Sequence, residues 1–540
     1  MKNKFVTKLK MLPFLLLFFA ISCEDLDLAP ENQFTDENYW TSVDKAQTLL
    51  NTAYSQMQNS QYFFYNEALS DNAVNSRGDN AGAASIGGGL YDASLPRMKE
   101  EWNNRYAGIK SCNLILENID RINGADPIVI ARMKAEARFI RAFQHFQLTT
   151  WFGAIPLIAS DPSLGEASTV SRTSHEEVVE FIVNELDEAV TDLPASYGAS
   201  ERGKITSAAA MTLKARVLLY EGRWSEVIET TDAIMAGTFG TYSLFPSYEG
   251  IFLPQNEYNS EDILSLQYVP QFRMWGEFFD MAPISVGARL NALAPTQELV
   301  DSYLMLNGKK INESGSGYDE NDPYTARDPR LTATVVYHLY EWEQEDGTMR
   351  TIYIKPGTSP GEPTDEYVSG SSSTSTGYYT RKYFDPQHTT SLQSGLNLML
   401  LRYADVLLMN AEAKIELGQF DATSWAATIG AVRSRAGFTD PAALNFDGSL
   451  SQDGLRQVLR NERRSEFAME GLRIFDIRRW QIAETVLNGW AHGAKFGSSS
   501  IDNGYLRVNL RTFDPGKHYL WPVPRDERLI NGNLSQNPGW

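Results

Sequence analysis

Leu459-Arg-Asn-Glu-Arg-Arg-Ser-Glu-Phe467, followed closely by Glu470-Gly-Leu-Arg-Ile-Phe-Asp-Ile-Arg-Arg-Trp480, is the densest charged stretch of the chain. A helical period over Leu455–Trp480 puts Leu455, Val458 and Leu459 on one stripe, which continues into Glu462 and Glu466. Carboxylates on an apolar face are drawn inward, and a buried charge needs partners. The neighbouring arginines are the natural ones. An active-site acid would show the same pattern, but structural ion-pair networks also perturb titration without catalysis. The stretch reads as a buried electrostatic frame.

Working outward, Val43–Met57, Glu101–Ile122, Ile128–Trp151, Glu176–Leu193 and Ala208–Glu221 all repeat apolar residues at three- and four-residue spacing, which predicts helices. Ser174 with Glu177 has the form of a capping box, and Ser225 with Glu226 a weaker one. Ile128–Trp151 carries Phe139, Phe143 and Phe146 on one side and Met133, Ala137 and Ile140 on another, so it belongs deep in a bundle. Ala215 to Trp224 and Ala411 to Phe420 share an alanine, a glycine seven residues on and an aromatic two beyond, and each precedes another helical stretch. That turn resembles the tetratricopeptide hairpin.

Between Gly237 and Leu396 glycine, serine, proline and aromatics dominate, with β-rich runs at Ile263–Val269, Leu331–Tyr340 and Thr351–Ile354. Ser369–Gly377 is a low-complexity stretch expected to be mobile. Helices are expected again at Leu398–Leu417, Ser424–Arg435 and Leu455–Trp480, and the last thirty residues read as coil over the surface. The expectation is a mainly α protein: tetratricopeptide-like helix hairpins form a helical scaffold with a large loop-rich, partly β insertion. A single body runs over 41–540, divided into an N-terminal helical part (41–236), the insertion (237–396) and a C-terminal helical part with its tail (397–540).

The chain starts with Lys2, Lys4, Lys8 and Lys10, then an apolar run from Met11 to Ile21, then Ser22 and Cys23. This layout reads as an export signal over 1–22, the run being shorter than the ~20 residues of a bilayer span. A cysteine directly after the small residue marks Cys23 for lipidation as in a bacterial lipoprotein, with several acyl chains giving a firm anchor. Residues 23–40 are acidic and polar, and read as a tether. Once Cys23 is lipidated only Cys112 remains, so no intramolecular disulfide forms. Cys112 lies in a helical pattern and reads as a buried, inert thiol. The formal net charge of −20 opposes nucleic acid and anionic membrane surfaces as partners.

Catalytic and metal patterns fail one by one. Gly357-Thr-Ser359-Pro360-Gly361 matches the nucleophile elbow in form, but Pro360 lacks the N–H that would serve the oxyanion. The six histidines are scattered without zinc spacing, and Asp319-Glu-Asn-Asp322 lacks the spacing and glycine of a calcium loop. No glycine-rich loop leads into a helix with a lysine, so phosphate cradling has no support. Carboxylates are plentiful, but none is singled out as half of a glycosidase pair. No cofactor and no metal are expected.

The charged motif, as Glu462-Arg-Arg-x-Glu-Phe467 and Phe475-Asp-x-Arg-Arg-Trp480, resembles the signature of the SusD/RagB family of outer-membrane nutrient-binding lipoproteins. Phe34-Thr-x-x-Asn-Tyr-Trp40, Ala135-Glu-Ala-Arg-Phe-Ile-Arg-Ala142, Phe152-Gly-Ala-Ile-Pro-Leu157, Arg327-Asp-Pro-Arg330, Leu401-Arg-Tyr-Ala-Asp-Val406 and Gln536-Asn-Pro-Gly-Trp540 agree with it in order. The resemblance covers essentially the whole chain after Cys23. It implies the SusD-like α-α superhelix and a non-enzymatic role. That role is to bind an oligosaccharide or polysaccharide at the cell exterior and act with a SusC-like TonB-dependent transporter. It further implies attachment to outer-membrane lipid through acylated Cys23, with Glu24, Asp25 and Asp27 favouring surface display. A peptide ligand for the same type of transporter, or a lipid-anchored glycosidase, are the alternatives.

Sugar rings offer flat C–H faces to aromatics and hydroxyls to polar side chains. The resemblance places such residues in loops ahead of the Trp102-x-x-x-Tyr106 helix and in the insertion. In this chain the expected ligand-binding set is Asp71, Asn75, Arg77, Tyr91, Trp275 and Tyr318.

Overall fold

The computed structural model describes residues 39–344, 346–385 and 392–540. The export signal, Cys23 and the tether up to residue 38 lie outside the described residues, as does His388.

The N-terminal half is a helical stack. It comprises α1 (Val43–Ser55), α2 (Pro96–Asn118), α3 (Pro127–Phe152), α4 (His175–Asp192), α5 (Ser207–Tyr220) and α6 (Trp224–Met235). Local chemistry sets the boundaries. In α3 Pro127 takes the first turn, where its missing N–H costs nothing, and Asp126 accepts from the Ile128 N–H. The helix ends at Gly153, whose φ is +69°. Both halves of the capping box between Ser174 and Glu177 start α4. Ser225 caps nothing; Arg223 precedes α6 without a side-chain cap and instead pairs with Glu226. As its two apolar faces require, α3 lies between α2 and α4, with Phe139, Phe143 and Phe146 buried.

The paired hairpins are real. Gly222 turns α5 into α6, and Gly418 turns α7 (Tyr403–Glu416) towards the next short helices, each at φ +67°. A side chain disfavours that left-handed backbone, which explains the shared glycine. α6 packs against α7 and so joins the two helical halves.

Three expected elements differ. Leu398–Leu417 divides into a strand, Leu398–Arg402, followed by α7, because Leu398–Arg402 pairs antiparallel with Asp262–Leu266. Pairing with a distant strand outweighs the helical period there. Leu331–Tyr340 begins as a short helix capped by Asp328, contributes Val335–Val336 as strand and ends on Tyr340, the first residue of the strand Tyr340–Glu343. Leu455–Trp480 becomes α8 (Gln452–Glu466) and α9 (Arg473–Arg479), separated by left-handed Met469 and Gly471. A β-carbon at Gly471 would sit 2.4 Å from the Phe63 carbonyl oxygen, so no other residue fits.

Two loop expectations also change. Ser369–Gly377 folds around Thr374, whose Oγ1 accepts from the N–H groups of Thr376, Gly377 and Tyr378. The tail contains a helix, Arg525–Ile530, and inserts Trp521 into the core, stacked on Trp151 at 3.9 Å and 12°. One apolar core draws residues from Trp40 to Leu534, and a second joins α7 to α8 through Leu408, Trp425 and Leu459.

Four short strands form a layer outside the helices. They are β1 (Ala73–Asn75), β2 (Leu293–Pro295), β3 (Gly489–His492) and β4 (Arg507–Arg511). β1 pairs with β2 and β3 with β4, both antiparallel. Val74, Ala294 and Ala491, with Val508 against them, pack the two pairs together.

Candidate ligand-binding face

The charged stretch that opened the sequence is enclosed. Arg402 joins Glu466 at 2.6 Å, Glu261 at 2.7 Å and Glu470 at 2.8 Å. Arg330 reaches Glu462 at 2.7 Å, Asp328 at 2.7 Å and Glu466 at 2.9 Å, and Arg433 and Arg435 complete the group. Burial opposes the charge on Glu466, but Arg435, Arg402 and Arg330 outweigh it and hold its carboxyl well below the usual range. Desolvation leads the other way at Lys382, whose ammonium falls to about 8. These side chains lock the β-strand before α7, the Asp328 turn and α8 into one frame. Ion pairs buried this fully offer no surface to a ligand.

The six expected ligand residues do not converge. Asp71 is buried, paired with Arg473 at 2.8 Å and Arg464 at 3.0 Å, and it ties β1 to the charged frame. Trp275 is 3 % exposed, sits 4.9 Å from the Phe64 ring and donates its indole N–H to the Leu396 carbonyl. Tyr91 stacks on His518 at 5.1 Å and contacts Trp540, clasping the C-terminus. These three are held by internal contacts. Asn75 and Arg77 do come together at the edge of the β-layer: the Asn75 amide oxygen accepts from the Arg77 N–H, and Arg77 donates to the carbonyls of Asn291 and Ser373. Tyr318 is half-buried, 5.6 Å from the Arg327 guanidinium, and belongs to a separate group of rings. Cys112 is buried, and desolvation pushes its thiol up to about 12, consistent with an inert core group.

The outward face of the β3–β4 hairpin brings aromatic and polar side chains together. Ala491 points inward, so the alternation of a strand turns Trp490 and His492 out. Opposite them lie Leu510 and Arg507. Trp490 is 39 % exposed and Leu510 51 %. The Arg507 guanidinium lies 5.3 Å from the Trp490 ring and grips Asp502 through both arms, at 2.6 and 2.9 Å. His492 bridges two carboxylates, Glu298 at 2.8 Å and Asp502 at 3.1 Å. Burial lowers the His492 imidazole, but its hydrogen bonds to Glu298 and Asp502 outweigh that and raise it above its ordinary value. Arg507 and then His492 hold Asp502 down at about 2. The Tyr505 ring stands 6.4 Å from His492, and burial, with the Asp301 carboxylate added, pushes the Tyr318 phenol up to about 12. An exposed indole beside a clamped guanidinium and a row of carboxylates can stack a pyranose and hydrogen-bond its hydroxyls.

Trp490, His492, Tyr505 and Arg507 were not among the expected residues. Arg507-Val-Asn-Leu-Arg511 alternates polar and apolar residues, which marks a strand, but the pattern would turn Leu510 inward and Arg511 out. A register shift between Arg507 and Asn509 leaves Leu510 exposed and Arg511 buried, so the spacing does not give the outward face.

A helical stack carrying an insertion and a small β-layer defines an α scaffold that displays loops. Comparison with known proteins places it more closely. Residues 280–540 match the model of the SusD family, and residues 25–219 match a second model described as starch-binding associating with outer membrane. A SusD-like carbohydrate binding protein from Bacteroides fragilis superposes with a TM-score of 0.83 at 29 % identity, over 92 % of this chain and all of that one. SusD-like protein P2 of Formosa agariphila is 26 % identical over 99 % of this chain and its own full length. A laminarin binding SusD-like protein shares the fold at 23 % identity and a TM-score of 0.65, covering 93 % of this chain and all of the other. The chain belongs to the SusD/RagB family.

Proposed function

We propose that the protein binds a glycan at the cell exterior on the Trp490–Tyr505 face, without cleaving it, and passes it to a SusC-like TonB-dependent transporter. The observation that carries this reading is the open Trp490 indole with Arg507 beside it and Asp502, His492 and Glu298 in line. Support comes from relatives described as carbohydrate binding and laminarin binding, and from the family model named for starch binding at the outer membrane. Lipidation at Cys23 would keep the binder beside its transporter.

Isothermal titration with laminari- and malto-oligosaccharides tests the first step. The expected result is binding without release of new reducing ends, lost or weakened about tenfold, or ~1.4 kcal/mol, in Trp490→Ala. No affinity across a broad saccharide panel, with affinity for peptides instead, would overturn the glycan part. Co-purification with an outer-membrane transporter tests the second step, and a Cys23→Ala protein should bind glycan normally in solution yet reduce uptake by cells.

A further inference from the structure

A second concavity lies away from the β-layer and shares no residue with the hairpin face. It encloses about 610 Å³ between the α4–α5 connection, Ala195–Thr206, and the segment Gly240–Ser265. That size falls within the ~300–1,000 Å³ of small-molecule sites. Three tyrosines line it: Tyr197, Tyr242 and Tyr258. Their phenol oxygens are tied back into the protein. Tyr197 donates to the Ile205 carbonyl, Tyr242 shares a hydrogen bond with Thr206, and Tyr258 donates to Gln267 at 2.6 Å. Fixing the hydroxyls sets the ring orientations before any ligand arrives, which lowers the ordering cost of binding.

Tyr258 is 41 % exposed and has a left-handed backbone, φ +57°, an uncommon state for a bulky residue. The Arg202 guanidinium, exposed at the rim 6.0 Å from the Tyr258 ring, makes no ion pair among the described residues. At the floor, Asp262 accepts from the Ser265 hydroxyl at 2.8 Å. Desolvation, with the Glu257 and Glu261 charges added, pushes the Asp262 carboxyl up to about 7, so near neutrality it can donate as well as accept. Asn259 adds an amide to the lining.

We infer that this groove is a second saccharide-binding site, in which the three tyrosine rings supply the apolar contact while Arg202, Asn259 and Asp262 bind hydroxyls. The polar groups suit a short stretch of sugar rings: a donor fork at the rim, a group of both senses at the floor, and an amide between them. A second site on the same anchored chain would raise avidity for a polymeric glycan without any change at the hairpin face. The inference rests on the saccharide reading above, and the test separates the two.

Laminarihexaose, maltoheptaose and a galacturonate oligomer are titrated into the full chain, Trp490→Ala, Tyr258→Ala combined with Arg202→Ala, and Thr241→Trp, which fills the groove from its exposed edge. The expected outcome is two saccharides per chain for the parent and one for either groove variant, with the thermal midpoint unchanged. The groove variants should keep the affinity that Trp490→Ala loses. Unchanged stoichiometry and affinity in both groove variants overturns the inference and leaves the hairpin reading standing. Loss of all binding in the groove variants with none in Trp490→Ala supports the groove and removes the hairpin site. A parent that binds no saccharide overturns both.

Discussion

Arg402 in the interior and Arg507 on the hairpin are both arginines clamped by carboxylates, and their surroundings make them different devices. Arg402 keeps 2 % of its side chain exposed among Glu261, Glu466 and Glu470, whereas Arg507 keeps 43 % exposed and grips the single carboxylate Asp502. In the interior each charge is removed from water, so every partner is needed and truncating one strands the rest. On the hairpin water screens the pair, which adds little to folding but leaves a positioned guanidinium beside an open indole. Equivalent side chains thus serve as scaffold in one place and line the proposed ligand surface in the other. Burial decides which.

The comparison breaks first at Arg402. Arg402→Met should cost about 3–5 kcal/mol in chemical denaturation, because three carboxylates lose a shared partner. Parent-like stability would show that the frame contributes nothing. The next effect is acid sensitivity. Burial favours a neutral Asp405, but Arg216 and Arg463 outweigh it and hold its carboxyl at about 2. Since the folded value is depressed, this stability is present above the unfolded value near pH 4 and is lost as pH falls through 2. It amounts to roughly 2 kcal/mol. Asp405→Asn should therefore flatten the acid limb of a stability–pH curve, and an unchanged limb would contradict the assignment.

Smaller effects belong to the hairpin. Trp490→Ala should leave the melting temperature in place while weakening glycan binding about tenfold; a large melting shift would mean that Trp490 is structural after all. Smallest of all is His492. Its folded value is raised by Glu298 and Asp502, so its contribution is complete below the unfolded value near 6.5 and is lost as pH rises through the folded one. Protection factors in β3 and β4, that is, amide exchange corrected for its intrinsic rise with pH, should fall over that window in the parent and stay flat in His492→Gln.

Much of the scaffold was legible. The helical periods of α1 to α5, the Ser174–Glu177 box and the inward turn of Glu462 and Glu466 all express local rules: side-chain spacing, terminal hydrogen bonding and the need of a buried charge for a partner. The strand at Leu398–Arg402 was not legible, because its pairing partner, Asp262–Leu266, lies over a hundred residues away and its own apolar run also suits a helix. The proposed ligand face was least legible. Trp275 and Tyr91 are as aromatic as Trp490, and nothing in their neighbours along the chain says that Phe64 covers one and His518 the other.

Local sequence sets the helical architecture, the paired-hairpin turns at Gly222 and Gly418, the family signature and the ionic character of the Leu459–Trp480 stretch, since each depends on residues within a few turns of one another. Which charges are sealed and which rings face water is settled by long-range packing alone. Exposure depends on what distant segments bring to cover a side chain, and no local spacing encodes that.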